Sequence, residues 1–325
     1  MWTEDDIGDQ RGRTALVTGA NTGLGFQTAR LLRAHGADVV LACRDPQRAA
    51  AAAAALEASG PGGAVRTLAL DLASLASVRA AAAAVVGPLD LLVCNAGVML
   101  APAGRTEDGF ELHMGINHLG HFALTGLLLD RLLETPGSRV VVVGSLGARP
   151  ARLDPSRLDA GRGPSGFLAY GRSKLATLLF AQELQHRLEA AGAGTIALAA
   201  HPGGARTEIV RHSPRLARRA ARPVEASWRR VLFAEPGVAA LSILRAATDP
   251  AASGGQFYGP GGRFGLTGPP VLIRSGRVVL DRRRQHALWT ASEELTGVRY
   301  RLPARACDVD LPATIGPPPA CPEES

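Results

Sequence analysis

Aromatic side chains, cysteines and long apolar runs are all scarce in this sequence of 325 residues. Only 4% of the residues are aromatic, and the four cysteines show no CxxC spacing, which argues against a disulfide framework and indicates reduced thiols. No apolar run reaches the ~18–20 residues of a membrane span, and residues 1–13 are polar and acidic. We therefore expect a cytoplasmic protein without a transmembrane anchor or a secretory signal.

Lysine is almost absent as well. Of the 36 basic residues only Lys174 is a lysine, and the others are arginines. This bias, together with long alanine runs, indicates codon composition, so the net charge of +7 does not predict a nucleic-acid partner. The arginine-rich stretch 211–230 also lacks interleaved aromatic residues apart from Trp228. Because lysine and arginine differ wherever a compact, tunable ammonium is needed, the surroundings of Lys174 become the main question for function.

Apolar residues, at 46%, are numerous enough to bury a large core, which excludes wholesale disorder. The predicted strands are Thr14–Thr18, Asp38–Ala42, Val65–Leu70, Leu89–Cys94, Arg139–Val143, Thr195–Ala199 and a segment near Gln256–Tyr258. The predicted helices are Gly23–His35, Pro46–Ser59, Ser74–Val86, Asp108–Leu133 and Leu168–Ala191. This alternation predicts an α/β fold: a doubly wound parallel sheet of about seven strands with helices on both faces.

A single domain is expected over residues 13–315, after a short lead-in of residues 1–12. After residue 205 the pattern loosens into an arginine- and proline-rich stretch, and we interpret residues of about 206–235 as a substrate lid. Residues 316–325 are proline-rich and polar, which predicts a flexible tail.

The first predicted strand runs directly into a glycine-rich turn, Thr18-Gly19-Ala20-Asn21-Thr22-Gly23-Leu24-Gly25, and a helix follows. Glycines permit a tight turn and a close approach of the backbone, and the amides at the helix N-terminus would face a pyrophosphate. A plain strand-to-helix turn is the alternative interpretation.

The ends of the next strands carry further candidate nucleotide contacts. An acidic residue after the second strand would hold the ribose of NAD, whereas an arginine would accommodate the 2′-phosphate of NADP. Cys43 stands where the acid is expected and Arg44 follows, which favours NADP(H) over NAD(H); the alternative is an arginine in solvent. Asp71-Leu72 and Asn95-Ala96-Gly97 close the third and fourth strands. We expect Asp71 to receive the adenine amino group and the second turn to pass beneath the adenosine.

Tyr170 and Lys174 are spaced i, i+4, which predicts that they share one face of a helix. A phenol with a pKa of about 10 is a poor acid–base catalyst at pH 7, and a nearby ammonium stabilises the phenolate. Ser145 follows the fifth strand and could hydrogen-bond a substrate carbonyl. Asn117, within a predicted helix, could hold a water near Lys174 or mark a kink or cap.

Taken together, these motifs resemble the short-chain dehydrogenase/reductase family over about residues 12–300. The turn has that family's G-x-x-x-G-x-G spacing, and Asn117, Ser145, Tyr170 and Lys174 match its catalytic tetrad. The segment His201–Thr207 resembles the Pro-Gly turn that positions the nicotinamide. The resemblance implies a Rossmann-type fold. The cofactor-binding residues that it implies are Gly19, Asn21, Thr22, Gly23, Leu24, Gly25, Arg44, Asp71, Leu72, Asn95, Ala96, Gly97, Tyr170, Lys174, Pro202, Gly203 and Thr207.

Within the family, the chain is most similar to the retinol-dehydrogenase-like branch and resembles a soluble bacterial-type member of it. The features that carry this similarity are Asn21-Thr22, Ala42–Asp45, Asn117–Phe122, Tyr170–Leu175, Glu293–Gly297 and the long insert between Ser145 and Tyr170. One departure is Gly144, where that branch commonly has a second serine.

The predicted function is an NADP(H)-dependent interconversion of a carbonyl and an alcohol, with Tyr170 as general acid/base and Lys174 lowering the tyrosine pKa. The apolar residues Leu146, Phe167 and Leu168 indicate a lipophilic ketone, aldehyde or alcohol. Reduction of a C=C bond on the same scaffold is one alternative, and a non-catalytic NADP(H)-binding protein is another. No metal is expected, because His118 and His121 lack a third ligand at zinc-like spacing. A homo-oligomer is left open.

Overall fold

The computed structural model describes residues 1–158, 166–204 and 235–303. The strands are β1 (Thr14–Thr18), β2 (Asp38–Cys43), β3 (Val65–Ala69), β4 (Leu91–Cys94), β5 (Arg139–Val143), β6 (Ile196–Ala200), β7 (Phe257–Pro260) and β8 (Pro270–Leu272). They form one sheet in the order β3-β2-β1-β4-β5-β6-β7-β8. Strands β1 to β7 pair in parallel, and β8 runs antiparallel to β7. The predicted doubly wound α/β fold in a single domain is confirmed.

Helices cover both faces of this sheet. They are α1 (Gly23–Ala34), α2 (Pro46–Ala58), α3 (Leu75–Ala84), α4 (Leu112–Met114), α5 (Gly120–Leu127), α6 (Leu129–Leu133), α7 (Gly166–Ala190), α8 (Pro236–Thr248) and α9 (Arg282–Thr296). Side chains of a strand alternate between the two faces. Leu16 of β1 therefore packs with residues of α3, α5, α7 and α9, whereas Ala15 and Val17 pack with residues of α1, α2 and α8.

Within the described residues, the sheet has one strand more than the sequence predicted. Strand β8 has only three residues and begins at Pro270, so it is too short to show the alternation of apolar and polar residues that predicts a strand. Proline lacks the N–H that a central strand needs, but β8 lies at the edge of the sheet, where proline is tolerated.

The predicted helix Asp108–Leu133 is divided in the structure. It begins only after Glu111, whose carboxylate accepts hydrogen bonds from two backbone N–H groups of α4. A π-helical turn, Gly115–Leu119, then separates α4 from α5. At the start of α5, a Cβ at Gly120 would lie 2.6 Å from the carbonyl oxygen of Leu72, so glycine lets the helix pass close to the segment after β3.

Several of the few aromatic residues gather where α9 packs against α5 and α7, two contacts that the sequence did not predict. The ring of Trp289 lies 5.2 Å from that of Phe122, 6.0 Å from that of Phe180 and 4.4 Å from that of Tyr300, between centroids. The Tyr300 hydroxyl donates a hydrogen bond to the carbonyl oxygen of Phe122 at 2.6 Å. This cluster fastens α9 to the helix that carries Tyr170 and Lys174.

Some predictions fall outside the described residues. The predicted lid of about 206–235 lies outside them except for residue 235, and the predicted cofactor contact Thr207 lies outside them too. The same holds for part of the insert between Ser145 and Tyr170 and for the tail 316–325. Among the described helices, none combines the length and the apolar character that a membrane crossing requires.

Candidate active site

The carboxyl ends of β1, β4 and β5 meet at one edge of the sheet, beside the N-terminal part of α7. Strand β2 lies on one side of β1 and β4 on the other, so the strand order reverses here. Ligands of open α/β sheets bind in the crevice at such a point. The predicted site residues converge on it, since Gly19–Gly25 follows β1, Asn95–Gly97 follows β4 and Ser145 follows β5.

The glycine turn packs directly on the end of β4. Gly19 has a φ of +64°, and a Cβ there would lie 3.0 Å from that of Ala96. A Cβ at Gly25 would lie 2.5 Å from both Asn95 Nδ2 and the Gly19 carbonyl oxygen, so only glycine fits. Helix α1 begins directly after Thr22, whose side chain makes no cap hydrogen bond, and the N–H groups of the first turn stay without a side-chain partner. This cradle suits a pyrophosphate.

The end of β2 presents an exposed guanidinium, and the carboxylate next to it is engaged in a helix cap. Cys43 is buried and accepts hydrogen bonds from the backbone of Ala20 and Asn21; burial raises the pKa of its thiol, and these bonds act in the opposite direction. The Asp45 carboxylate accepts from two backbone N–H groups and caps α2. Arg44 is exposed and makes no hydrogen bond or ion pair with another described residue. Arg44 is therefore a guanidinium at the end of β2 that is available to a ligand.

The end of β3 is held by local contacts. One carboxylate oxygen of Asp71 accepts a hydrogen bond from the Ala73 N–H at 2.9 Å, and the Asp71 N–H donates to Ser77 Oγ at 2.9 Å. Leu72 is buried, whereas Asp71 is partly exposed. Asp71 therefore keeps part of its surface accessible, and its contact with an adenine stays a prediction.

Two side chains hold the segment that leaves β4. Thr18 Oγ1 accepts hydrogen bonds from the N–H groups of Asn95 and Ala96, each at 2.9 Å. Asn117, fully buried in the π-helical turn, accepts from the Val98 N–H at 2.8 Å and donates to the Val98 carbonyl oxygen at 3.0 Å. Asn117 thus lies at the helix irregularity that was one of its two interpretations, and its water-holding role stays a prediction.

Ser145, Tyr170 and Lys174 come together beneath the crevice. The hydroxyls of Ser145 and Tyr170 share a hydrogen bond. Tyr170 is 6% exposed; burial raises its pKa, and the bond with Ser145 acts in the opposite direction. Lys174 Nζ lies 6.0 Å from the centroid of the Tyr170 ring and donates to the Val143 carbonyl oxygen at 2.7 Å. The expected lowering of the tyrosine pKa by the ammonium is therefore not seen in this arrangement.

Lys174 is the buried cation of this cluster, at 3% exposure. Burial lowers its pKa to about 8, because a charged ammonium is costly to remove from water. Its Nζ and Asn117 Oδ1 border the same glycine: a Cβ at Gly97 would lie 3.6 Å and 3.0 Å from them. At Gly144, a Cβ would lie 2.8 Å from Leu178 Cδ2, so the absence of a serine leaves room for that leucine.

After β6, Pro202 and Gly203 form a turn that closes the same edge. Gly203 has a φ of +73°, and a Cβ there would lie 2.2 Å from the Leu266 carbonyl oxygen. Its N–H donates to Nδ1 of the buried His201 at 3.1 Å. The turn thus requires glycine on both conformational and steric grounds.

Sequence reasoning missed Thr18 and His121, which the structure brings into the site. His121 Nε2 lies 2.9 Å from Thr18 Oγ1, whereas His118 Nε2 lies 2.8 Å from Ser292 Oγ, so the two histidines have separate partners. Within the described ranges, no group of three or more histidine, cysteine or acidic residues could hold a metal.

Comparison with known proteins agrees with this geometry. The family model for short chain dehydrogenases matches residues 13–216. Mouse retinol dehydrogenase 11 is 45% identical over 205 residues, which cover 62% of this chain and 64% of the mouse protein. The chain therefore spans less than two thirds of the length of this relative.

Solved structures extend the likeness over most of the chain. The crystal structure of an uncharacterized protein from Mycobacterium paratuberculosis is 40% identical with a TM-score of 0.77, covering 93% of this chain and 99% of that one. The NADP active-site complex of RhlG from Pseudomonas aeruginosa is 28% identical with a TM-score of 0.61, covering 76% and 94%. The chain therefore belongs to the short-chain dehydrogenase/reductase family, as a retinol-dehydrogenase-like member.

Proposed function

We propose that the protein is an NADP(H)-dependent oxidoreductase that interconverts a carbonyl and an alcohol on a lipophilic small molecule. The observation that carries this proposal is the group of Ser145 with the buried Tyr170 and Lys174 next to the glycine turn. A phenol hydrogen-bonded to a serine, with an ammonium close by, can hold a carbonyl oxygen and move a proton to or from it.

The residues around the turn fit a dinucleotide. The close contacts of Gly19 and Gly25 leave a cradle of backbone amides for the pyrophosphate. Arg44 would hold a 2′-phosphate, since Asp45 is engaged in capping α2 and the buried Cys43 carries no charge to select NAD. The RhlG relative was solved with NADP, which supports the same preference. When bound, the nicotinamide would supply or accept the hydride that the interconversion requires, and the accompanying proton is the one that Tyr170 gives or takes.

Tyr170 acts as the general acid in carbonyl reduction and as the general base in alcohol oxidation. Burial keeps its phenol protonated at neutral pH, which suits the reductive direction. Ser145 orients the substrate oxygen through its hydroxyl. Lys174 would turn from the Val143 carbonyl oxygen to the ribose, and the approach of its ammonium would then ease the ionisation of the tyrosine.

A lipophilic substrate suits the entrance of the crevice. Phe167 and Leu168 are 51% and 48% exposed and lie in the first turn of α7, just before Tyr170, and Leu146 directly follows Ser145. Exposed apolar side chains near a polar centre are typical of sites for apolar ligands. A relative named for retinol, itself a lipophilic alcohol, supports this substrate class.

The test is an NADPH-oxidation assay over a panel of lipophilic ketones and aldehydes, with NADH in parallel, on the wild type, Tyr170→Phe and Tyr258→Phe. Tyr258 bonds Gln256 and lies away from the crevice, so its variant is a matched control. We expect NADPH to outperform NADH, and Tyr170→Phe to bind NADPH but lose turnover at least a hundredfold. Unchanged turnover in Tyr170→Phe would overturn the assignment. A saturated-bond product, identified by mass and NMR, would instead favour C=C reduction.

A further inference from the structure

His121 occupies the space between the two side chains that hold the exit of β4. It lies in the first turn of α5, is 3% exposed, and contacts Thr18 on one side and the carbonyl oxygen of Asn117 on the other. Burial lowers the pKa of its imidazole to about 4, so the ring is neutral at physiological pH. A neutral imidazole has one donor and one acceptor nitrogen, and both have partners here.

The surrounding hydrogen bonds fix which nitrogen carries the proton. A carbonyl oxygen can only accept, so His121 Nδ1 donates to Asn117 at 3.1 Å. Nε2 must then accept, and the donor is the hydroxyl of Thr18 at 2.9 Å. Thr18 Oγ1 already accepts from the N–H groups of Asn95 and Ala96, so its single proton is what it has left to give. The Val93 carbonyl oxygen is a second acceptor for this proton, but at 3.4 Å it lies farther away than His121 Nε2, which takes the bond.

The resulting chain of hydrogen bonds connects Thr18 and Asn117, the two residues that bind the segment after β4. Thr18 orients the backbone at Asn95 and Ala96, and Asn117 holds Val98 through two further bonds. His121 connects these two attachments through one rigid ring. A shift of the glycine turn would therefore be transmitted to the π-helical turn, whose Asn117 borders Lys174 across Gly97.

We propose that His121 is a positioning residue that aligns the nucleotide-binding turn with the Asn117–Lys174 side of the active site. The role rests on the proposed function, because it is exerted on the nucleotide and the reacting groups. It differs from a packing role: a packing residue would contribute to stability alone, whereas His121 should also govern nucleotide affinity and turnover.

The chain offers a matched control in His118, which lies three residues earlier, is 1% exposed and hydrogen-bonds Ser292 of α9. The first experiment measures NADPH affinity by fluorescence titration, thermal unfolding without nucleotide, and turnover for His121→Phe and His118→Phe. Both variants should unfold at lower temperature. Only His121→Phe should bind NADPH about tenfold more weakly and lose a further tenfold or more in kcat.

Two conservative variants separate the two bonds. Asn places its amide nitrogen where Nδ1 lies and retains the donation to Asn117, whereas Gln reaches the position of Nε2 and can accept from Thr18. We expect His121→Gln to recover most of the NADPH affinity and His121→Asn to recover less. In addition, Thr18→Val and His121→Phe should be less than additive in their effects on NADPH affinity, because both break the same bond.

The outcomes are distinct. Equal NADPH affinity in the wild type, His121→Phe and His118→Phe, or full additivity of the double variant, would overturn the positioning role while leaving the proposed function intact. If His121→Phe fails to fold, the Gln and Asn variants decide, and equal NADPH affinity in these two would also overturn it. A wild type that binds neither NADPH nor NADH would overturn the proposed function and the positioning role together.

Discussion

At the scale of single residues, Lys174 makes a prediction about pH. Burial lowers its pKa to about 8, so its ammonium is present below that pH and lost above it, whereas burial raises the pKa of Tyr170, so that the phenol loses its proton only at higher pH. We expect kcat/KM for carbonyl reduction to be level at neutral pH and to fall up to tenfold per unit above pH 8. A pH–rate profile from 6 to 10 measures this. A profile that stays level to pH 9.5 would show that the charge on Lys174 is not required.

The second prediction at this scale concerns Gly25, where helix propensity favours alanine but steric hindrance opposes it. Alanine is favoured over glycine in a helix by about 1 kcal/mol, yet the new Cβ would lie 2.5 Å from the Gly19 carbonyl oxygen. Backbone atoms cannot give way cheaply, so we expect Gly25→Ala to weaken NADPH binding more than tenfold. Gly8→Ala, where a Cβ meets nothing within 4 Å, is the control and should bind normally. Equal NADPH affinities of the two variants would contradict the close packing of Gly25 on the Gly19 carbonyl oxygen.

How much of the site can be predicted from the sequence depends on how far apart its residues lie along the chain. Tyr170 and Lys174 could be paired because helical geometry fixes residues four apart. The bond between Thr18 and His121 spans 103 positions and depends on how β1 sits against α5, which no local pattern encodes. The same limit explains the tyrosine pKa: the effect of burial on the phenol and the hydrogen bond of the Lys174 ammonium to the Val143 carbonyl oxygen appear only in three dimensions.

At the scale of elements, α9 is expected to be a main support of the catalytic helix. Trp289 packs on Phe122, Phe180 and Tyr300, and the Arg187 guanidinium of α7 lies 4.3 Å above its ring. We expect Trp289→Ala to lower the free energy of unfolding by about 3–5 kcal/mol. Urea unfolding measures this, and Leu280→Ala, at a site 53% exposed, should change it little. Similar small losses in both variants would refute the support role of α9.

The elements differ in how clearly the sequence announces them. Strands β1 and β5 were predicted with their observed bounds, because continuous apolar runs end at turn residues. Helix α9 was missed although its signals are present: Asp281 caps its start, and Gly297 ends it with a φ of 64°. The helix begins with three arginines and has only a narrow apolar face, so its helical periodicity is weak in the sequence. The π-helical turn Gly115–Leu119 has no sequence signal of its own, because it reflects packing against neighbouring segments.

At the scale of the whole molecule, buried neutral histidines predict sensitivity to mild acid. Burial lowers the pKa of His118 to about 3 and those of His121 and His201 to about 4, whereas in the unfolded chain the pKa is near 6.5. Between pH 6.5 and 4 the unfolded state binds more protons than the folded state. The contribution of these histidines to the free energy of unfolding is therefore fully present above pH 6.5 and decreases as the pH falls below it. The slope is about 1.4 kcal/mol per pH unit for each histidine.

Urea unfolding at pH 7.5, 6.5, 5.5 and 5.0 tests this expectation. Aspartate and glutamate titrate mostly below pH 4.5, so a loss that begins near pH 6.5 identifies the histidines. His118→Gln should reduce the slope by about a third, because one of the three groups is removed. Stability that is constant between pH 7.5 and 5.0 would contradict the expectation.

The single lysine has a practical consequence for observing the molecule at work. A lysine-specific protease has one peptide bond to cut, Lys174–Leu175, and both residues are buried within α7. Cleavage requires this part of α7 to unfold and become exposed, so the appearance of fragments 1–174 and 175–325 reports the local or global opening of the catalytic helix. A bound nucleotide should slow the cut by favouring the closed form. Because Lys174 is the single lysine, its cleavage by such a protease measures how often α7 opens.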